Sequence, residues 1–279
     1  MKLLTLSLAV LIFISITGCT KDRNELSRLQ DSNNNKTSQV NNVRSNNTPP
    51  AVMNEDFTVT TSDKKEISGS LYFSESKKDV SQPLVILVHQ FNQSRAEWQQ
   101  SFIDSLLNSG FKVLAYDIRG HGKSSKQNGK LEDILSDPEQ APLDIKAVTD
   151  WAKVHKGIDS SRIAVIGTSI GGNLALYAGL NCGVKVPVAV SNGKSTFEAF
   201  TGYNEMMMGR PYFPKIKNVL LICGSKDEDH EAGQKWIYDN FCENPKEMKV
   251  YDTGKHGKFL IEEKPEVNEL ILNWLKKYL

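Results

Sequence analysis

From Glu55 onward the chain alternates between two hydrophobic rhythms. Phe57-Thr58-Val59-Thr60 and Ile67-Ser68-Gly69-Ser70-Leu71-Tyr72 set apolar groups at every second position, the period of half-buried antiparallel strands. Leu84 to Val88 is wholly apolar, the mark of a strand covered on both faces. Beyond it, the patterning predicts helices over 98–107, 142–153, 173–180 and 230–241, and a closing helix from about Pro265. Apolar strands are expected between them at 111–116, 163–166, 186–190, 219–223 and 248–252. This succession predicts the α/β class: a mainly parallel, twisted sheet of about eight strands with helices on both faces. The stretch 192–217 breaks the rhythm. It carries Phe197, Phe200, Tyr203, Met206 to Met208, Tyr212 and Phe213. It is expected to be a short lid or binding loop, or a compact helix over the sheet end.

The N-terminal residues follow other patterns. After Lys2, Leu3 to Ile16 is apolar apart from Thr5, Ser7 and Ser15, too short to span a bilayer comfortably and built like a signal-peptide core. It closes on Ile16-Thr17-Gly18-Cys19, which resembles the lipobox of bacterial lipoproteins. The resemblance implies cleavage after residue 18 and a lipidated Cys19, anchored in a bilayer of the bacterial cell envelope. Thr20 after the cysteine leans this toward the outer membrane in a Gram-negative cell. Residues 19–52 are then expected to form a disordered tether ending at Pro49-Pro50. Eight of the 25 residues from Asn24 to Thr48 are asparagine, and such a segment buries too little apolar surface to offset its ordering entropy. The globular domain is expected over 53–279.

Charge narrows the function. A formal net charge of +1, with 24% charged residues, implies no broad basic face and no nucleic-acid partner. Only four cysteines are present, so no disulfide scaffold is expected, although Cys182 and Cys242 could pair in an oxidising compartment. Cys223 lies in an apolar strand and reads as a small buried hydrophobe. Nothing in the sequence speaks to oligomeric state.

The chemistry concentrates at Arg162 to Gly179. The apolar run Ile163 to Ile166 leads into Gly167-Thr168-Ser169-Ile170-Gly171, and a helix-like run follows at once. A G-x-S-x-G sequence between strand and helix predicts a sharp turn with Ser169 exposed at the C-terminal edge of the sheet as a nucleophile. Gly167 and Gly171 lack the Cβ atoms that would clash in such a turn. A serine nucleophile needs a base, and the base an orienting acid. Among the five histidines, His256 lies in a glycine-flanked loop just after the last strand, while His155 and His230 fall at helix ends and suit ordinary surface roles. For the acid, the loop after strand 219–223 offers Asp227, the first choice, and Asp229. No His, Cys and Asp group has metal-ligand spacing and no G-x-G-x-x-G follows a strand, so neither a metal nor a nucleotide cofactor is expected.

The order Ser169, Asp227, His256 resembles that of the α/β-hydrolases, close to the dienelactone-hydrolase-like and serine aminopeptidase-like branches. Two further motifs agree. His89-Gln90-Phe91 follows the buried strand where that family often has His-Gly-x, and Asp117-Ile118-Arg119-Gly120-His121-Gly122-Lys123-Ser124 matches its D-x-R-G-x-G-x-S loop. The resemblance implies an oxyanion hole from the Ile170 and Phe91 N–H groups, with His89 and His121 orienting loops. Gln90 departs from the usual glycine and is expected to narrow the site or reshape the backbone there. The implied activity is cleavage of a small carboxylic ester through an acyl-enzyme on Ser169. Aminopeptidase-like or thioesterase activity, or a non-catalytic binding module, are the alternatives.

Overall fold

The computed structural model describes residues 51–204, 206, 214–227 and 230–279. The signal segment, Cys19 and residues 19–50 of the expected tether lie outside them, as do Asp229, Glu205, Met207, Met208, Tyr212 and Phe213, whereas Val52, the last residue of that expected tether, already belongs to a strand. Among the described residues no helix is long and apolar enough to cross a membrane.

Among the described residues eight strands form one sheet in the order β1-β2-β4-β3-β5-β6-β7-β8. They are β1 (Val52–Thr60), β2 (Glu66–Ser74), β3 (Gln82–Val88), β4 (Lys112–Tyr116), β5 (Ile158–Thr168), β6 (Val186–Val190), β7 (Val219–Gly224) and β8 (Lys246–Tyr251). The β1–β2 and β2–β4 pairs are antiparallel and all others parallel, so β2 alone runs against the rest. Among the described residues the α-helices are α1 (Gln100–Asn108), α2 (Ala141–Val154), α3 (Ile170–Asn181), α4 (Lys194–Thr201), α5 (His230–Phe241), α6 (Lys258–Glu263) and α7 (Glu266–Tyr278).

The alternation along β3 explains the two layers. Leu84, Ile86 and Val88 face one side, where they join Ile145 and Val148 of α2 and Leu174 and Ala178 of α3. Val85 and Leu87 face the other, with Phe102 and Ile103 of α1 and Ile271 and Leu275 of α7. All five strand residues are fully buried, which is why this segment reads as a continuous apolar run and not as an alternating one.

Of the segment 192–217, residues 194–201 form α4, and its Phe197 and Phe200 are buried in the core. Phe197 packs edge-on against Phe241 of α5 with ring centroids 4.8 Å apart. These two rings anchor α4 to the sheet, so their apolar character reports packing. Cys182, Cys223 and Cys242 are all free and buried.

Candidate active site

The nucleophile elbow is built by close backbone approach. Ser169 sits between β5 and α3 with φ 52° and ψ −117°, a backbone conformation that L-residues rarely adopt. It persists because its surroundings leave no alternative. A Cβ on Gly167 would lie 1.9 Å from the Gly171 carbonyl oxygen, and one on Gly171 would lie 2.3 Å from that of Val88. The Ser169 N–H donates to the Val190 carbonyl at 2.8 Å, tying the elbow to the end of β6. Ile170 is the first residue of α3, so its N–H has no acceptor inside the helix and lies at the positive end of the helix dipole.

Asp227 and His256 meet across 29 residues of sequence. His256 Nδ1 lies 2.9 Å from Asp227 Oδ1 and 3.0 Å from Oδ2, the contact of an imidazole N–H donating to a carboxylate. Asp227 is buried, whereas His256 is partly exposed. Burial pushes the Asp227 carboxyl up, but the hydrogen bond from His256 and the nearness of His256 and His230 outweigh it, and the net shift is downward. The loop of His256 lies beside the elbow: a Cβ on Gly257 would come 3.5 Å from Cβ of Thr168, the residue before Ser169.

His230 is the residue that sequence position misjudges. It is not an ordinary surface group, because its ring packs edge-on against His256 with centroids 4.5 Å apart. Its Nδ1 lies 3.0 Å from the Asp227 carbonyl oxygen and 3.5 Å from Oδ1. One carboxylate is thus bracketed by two imidazoles. Asp227, His230 and His256 bring ligand-capable atoms within 4.8 Å of one another, the group among the described residues that could hold a metal ion. Linear spacing, which suggested no metal site, does not bring them together; the loop after β7 and the loop after β8 do.

The histidines of the two shared motifs act as staples. His89 Nε2 accepts from the Ile118 N–H at 2.9 Å, and its Nδ1 lies 2.8 Å from the Gln90 carbonyl oxygen, so it joins the loops after β3 and β4. Burial drives its pKa down to about 4, which keeps it neutral and able to accept. His121 Nε2 accepts from the Asn92 N–H at 3.0 Å, one residue beyond Phe91. Asp117 accepts from the Arg95 N–H and guanidinium at 2.8 and 3.0 Å and from the Lys123 N–H at 2.9 Å. These bonds hold the loop that carries Phe91.

The Gln90 side chain turns toward α6, where Oε1 accepts from the Lys258 N–H at 2.9 Å and so caps that helix. Gly257 makes this possible, since a Cβ there would stand 2.1 Å from Gln90 Oε1 and its φ is 55°. The glycine expected at position 90 and the glycine found at 257 are two halves of one packing problem. Sequence reasoning also passed over Glu97, whose carboxylate accepts from the Thr168 hydroxyl and, at 3.2 Å, from the Gln90 N–H. A lone glutamate before Trp98 in a polar loop carries no signal of such a role.

Comparison with known proteins agrees with this architecture. A sequence model of the alpha/beta hydrolase fold family matches residues 83–215. The chain has the α/β-hydrolase fold. It is 33% identical over 103 residues to an uncharacterised 31.7 kDa protein of the traX-finO intergenic region of Escherichia coli. That match takes in 37% of this chain and 34% of the relative, so the chain spans about a third of that relative's length. It is 29% identical over 136 residues to the quorum-quenching protein AidA of Acinetobacter baumannii, covering 49% of this chain and 42% of AidA. Among solved structures, the Pyrococcus furiosus esterase Pf2001 superposes with a TM-score of 0.61 at 25% identity, over 81% of this chain and 93% of the esterase.

Proposed function

We propose that this protein is a serine hydrolase that cleaves small carboxylic esters through an acyl-enzyme on Ser169. The observation that carries the reading is the hydrogen-bonded Asp227–His256 pair in the loop beside a strained Ser169 at the head of α3. Similarity to an esterase favours the ester over other acyl bonds.

In this reading His256 Nε2 takes the Ser169 hydroxyl proton as Oγ attacks the ester carbonyl carbon. Asp227 holds Nδ1–H and so fixes the tautomer that leaves Nε2 free to accept. The N–H groups of Ile170 and Phe91 receive the oxyanion, each donor typically worth about 3–4 kcal/mol at the transition state. The tetrahedral intermediate collapses, the C–O bond to the alcohol breaks, and His256 returns the proton to the leaving oxygen. Water then repeats the sequence: His256 takes its proton, the hydroxide adds to the acyl carbon, and Ser169 leaves with the proton restored and the acid released.

The test is labelling of the protein with a fluorophosphonate and mapping of the adduct by mass spectrometry. A single adduct on Ser169 is the expected result. A folded sample that takes no label counts against an activated serine and in favour of a binding module.

The N-terminal pattern completes the proposal. We infer that Cys19 carries the lipid that holds the body at the cell envelope, in contact with the bilayer. Exchanging Cys19→Ser should move the protein from the membrane to the soluble fraction on sedimentation. If it stays with the membrane, the anchor lies elsewhere.

A further inference from the structure

Glu97 has no part in the chemistry above, yet three loops of the site meet at it. It ends the one-turn 3-10 helix Arg95–Glu97, which Ser94 caps by accepting the Ala96 N–H, and the turn points its partly buried carboxylate inward. One oxygen accepts from the hydroxyl of Thr168, immediately before Ser169. The other accepts from the N–H of Gln90, immediately before Phe91, at 3.2 Å. Gln90 in turn accepts from the N–H of Lys258, two residues beyond His256, at 2.9 Å. The nucleophile, the oxyanion donor and the base are therefore each one or two residues from a single hydrogen-bonded chain. Glu97 also lines a cleft with Trp98, Phe102, Lys258, Ile261, Glu262 and Asn268, and neither Ser169 nor His256 is on that surface.

We propose that Glu97 is a positioning residue for hydrolysis at Ser169, its carboxylate holding the nucleophile elbow and the oxyanion loop in register. The proposal rests on the serine-hydrolase reading of Ser169. Two acceptor bonds from one rigid group fix the spacing between the Thr168 and Gln90 backbones, and a misplacement of the reacting groups by an ångström can cost on the order of 100-fold in rate. A carboxylate accepts both bonds at once, whereas a carboxamide or a carboxylic acid accepts one and must donate in the other.

This difference makes the role visible through pH. Burial pushes the Glu97 carboxyl up to about 7, against the bonds from Thr168 and Gln90 and the positive charge of Lys258. Glu262 adds to the rise, and it and Lys258, both on α6, are the charged groups that face it. From β5, the loop after β3, α1 and α7 it meets Thr168, Gln90, Phe102 and Asn268, none of which titrates in this range. Below neutrality Glu97 is a carboxylic acid, close to glutamine in shape and bonding; above it, Glu97 is a carboxylate.

The experiment compares the full-length protein with its Glu97→Gln variant across the range from about pH 5.5 to 9. Turnover of p-nitrophenyl acetate and the rate of fluorophosphonate labelling are both followed. The pH dependence that the two proteins share cancels in their ratio. The expected ratio of wild-type to variant kcat lies near one at the acid end and rises to about fivefold at the alkaline end, the worth of one hydrogen bond, with KM changed by less than about twofold. Labelling rates follow the same curve. Thr168→Val removes the donor from the other side, and the ratio of wild-type to this variant's kcat should likewise be larger at the alkaline end, where the lost bond is to a charged carboxylate, which keeps the test independent of whether Glu97→Gln folds. A packing role for Glu97 predicts a ratio that is constant with pH; that result, in a labelled and active wild type, overturns the proposal alone. A wild type that neither labels nor turns over the ester removes the Ser169 reading and this proposal with it.

Discussion

Replacing Ser169 by alanine is expected to abolish ester turnover, with kcat falling on the order of 10⁵- to 10⁶-fold, and to leave the unfolding transition in place. The chemical argument is that no other group in the site can form the acyl intermediate once Oγ is gone. What remains is the rate enhancement from the oxyanion donors and substrate binding, on the order of 10³-fold over water. The structural argument is that alanine keeps the Cβ and therefore the same strain at φ 52°. Ser169→Gly separates the two effects: it is equally inactive, but relieving the strain should raise stability by about 1 kcal/mol. Asp227→Asn should lose less, about 10⁴-fold, because the imidazole stays near Ser169 in the wrong tautomer. Steady-state kinetics with thermal melts of the same samples measures all three. A Ser169→Ala protein retaining more than about a tenth of wild-type turnover would falsify the covalent scheme.

The second large effect concerns stability. Arg119 and Asp144 are both fully buried, and the guanidinium meets Asp144 Oδ1 at 2.8 Å through Nε and again through NH2. The Arg119 backbone N–H donates to the second Asp144 oxygen at 2.9 Å. On its other side the guanidinium forms a bidentate pair with Asp63, at 2.7 and 3.0 Å. Removing one partner leaves a buried carboxylate uncompensated, so Arg119→Met should cost about 3–5 kcal/mol of unfolding free energy. That is a large share of the 5–15 kcal/mol typical of a whole domain. The double variant Arg119→Met with Asp144→Leu should recover much of the loss, since the penalty comes from the stranded charge and not from the absent attraction. Urea unfolding of the single and double variants is the measurement. A single variant within about 1 kcal/mol of wild type would mean that the Arg119 pair does not hold the loop. The consequence reaches the site, because His121 follows two residues later and receives the N–H of Asn92 beside Phe91.

Much of the architecture was legible before the fold was seen. The strand at 186–190 and the helix at 230–241 are found where the pattern put them, and β5 and α3 extend beyond the expected 163–166 and 173–180 at both ends. Periodicity works there because each position's burial follows from its own element. It failed for α6, a helix of only six residues with a single buried side chain, Leu260. It was equivocal across 192–217, where a lining loop and a packed helix share the same apolar composition. For Phe197 and Phe200 packing against the core decides the matter.

The division at the site has one physical cause. The elbow glycines, the apolar strand before them and the order of Ser169, Asp227 and His256 are local facts, and the sequence by itself determined them. The partnerships are not local. Only the sheet order places the loops after β3, β5, β7 and β8 near one another, and only then does one carboxylate meet His256 and His230, or Gln90 reach Lys258 across 168 residues. Glu97 is the extreme case: its neighbours in the chain say nothing of Thr168, 71 residues away. Hydrophobic patterning encodes which face of an element is buried. It does not encode which polar group of another element waits at the end of a strand, and the tertiary structure decided that.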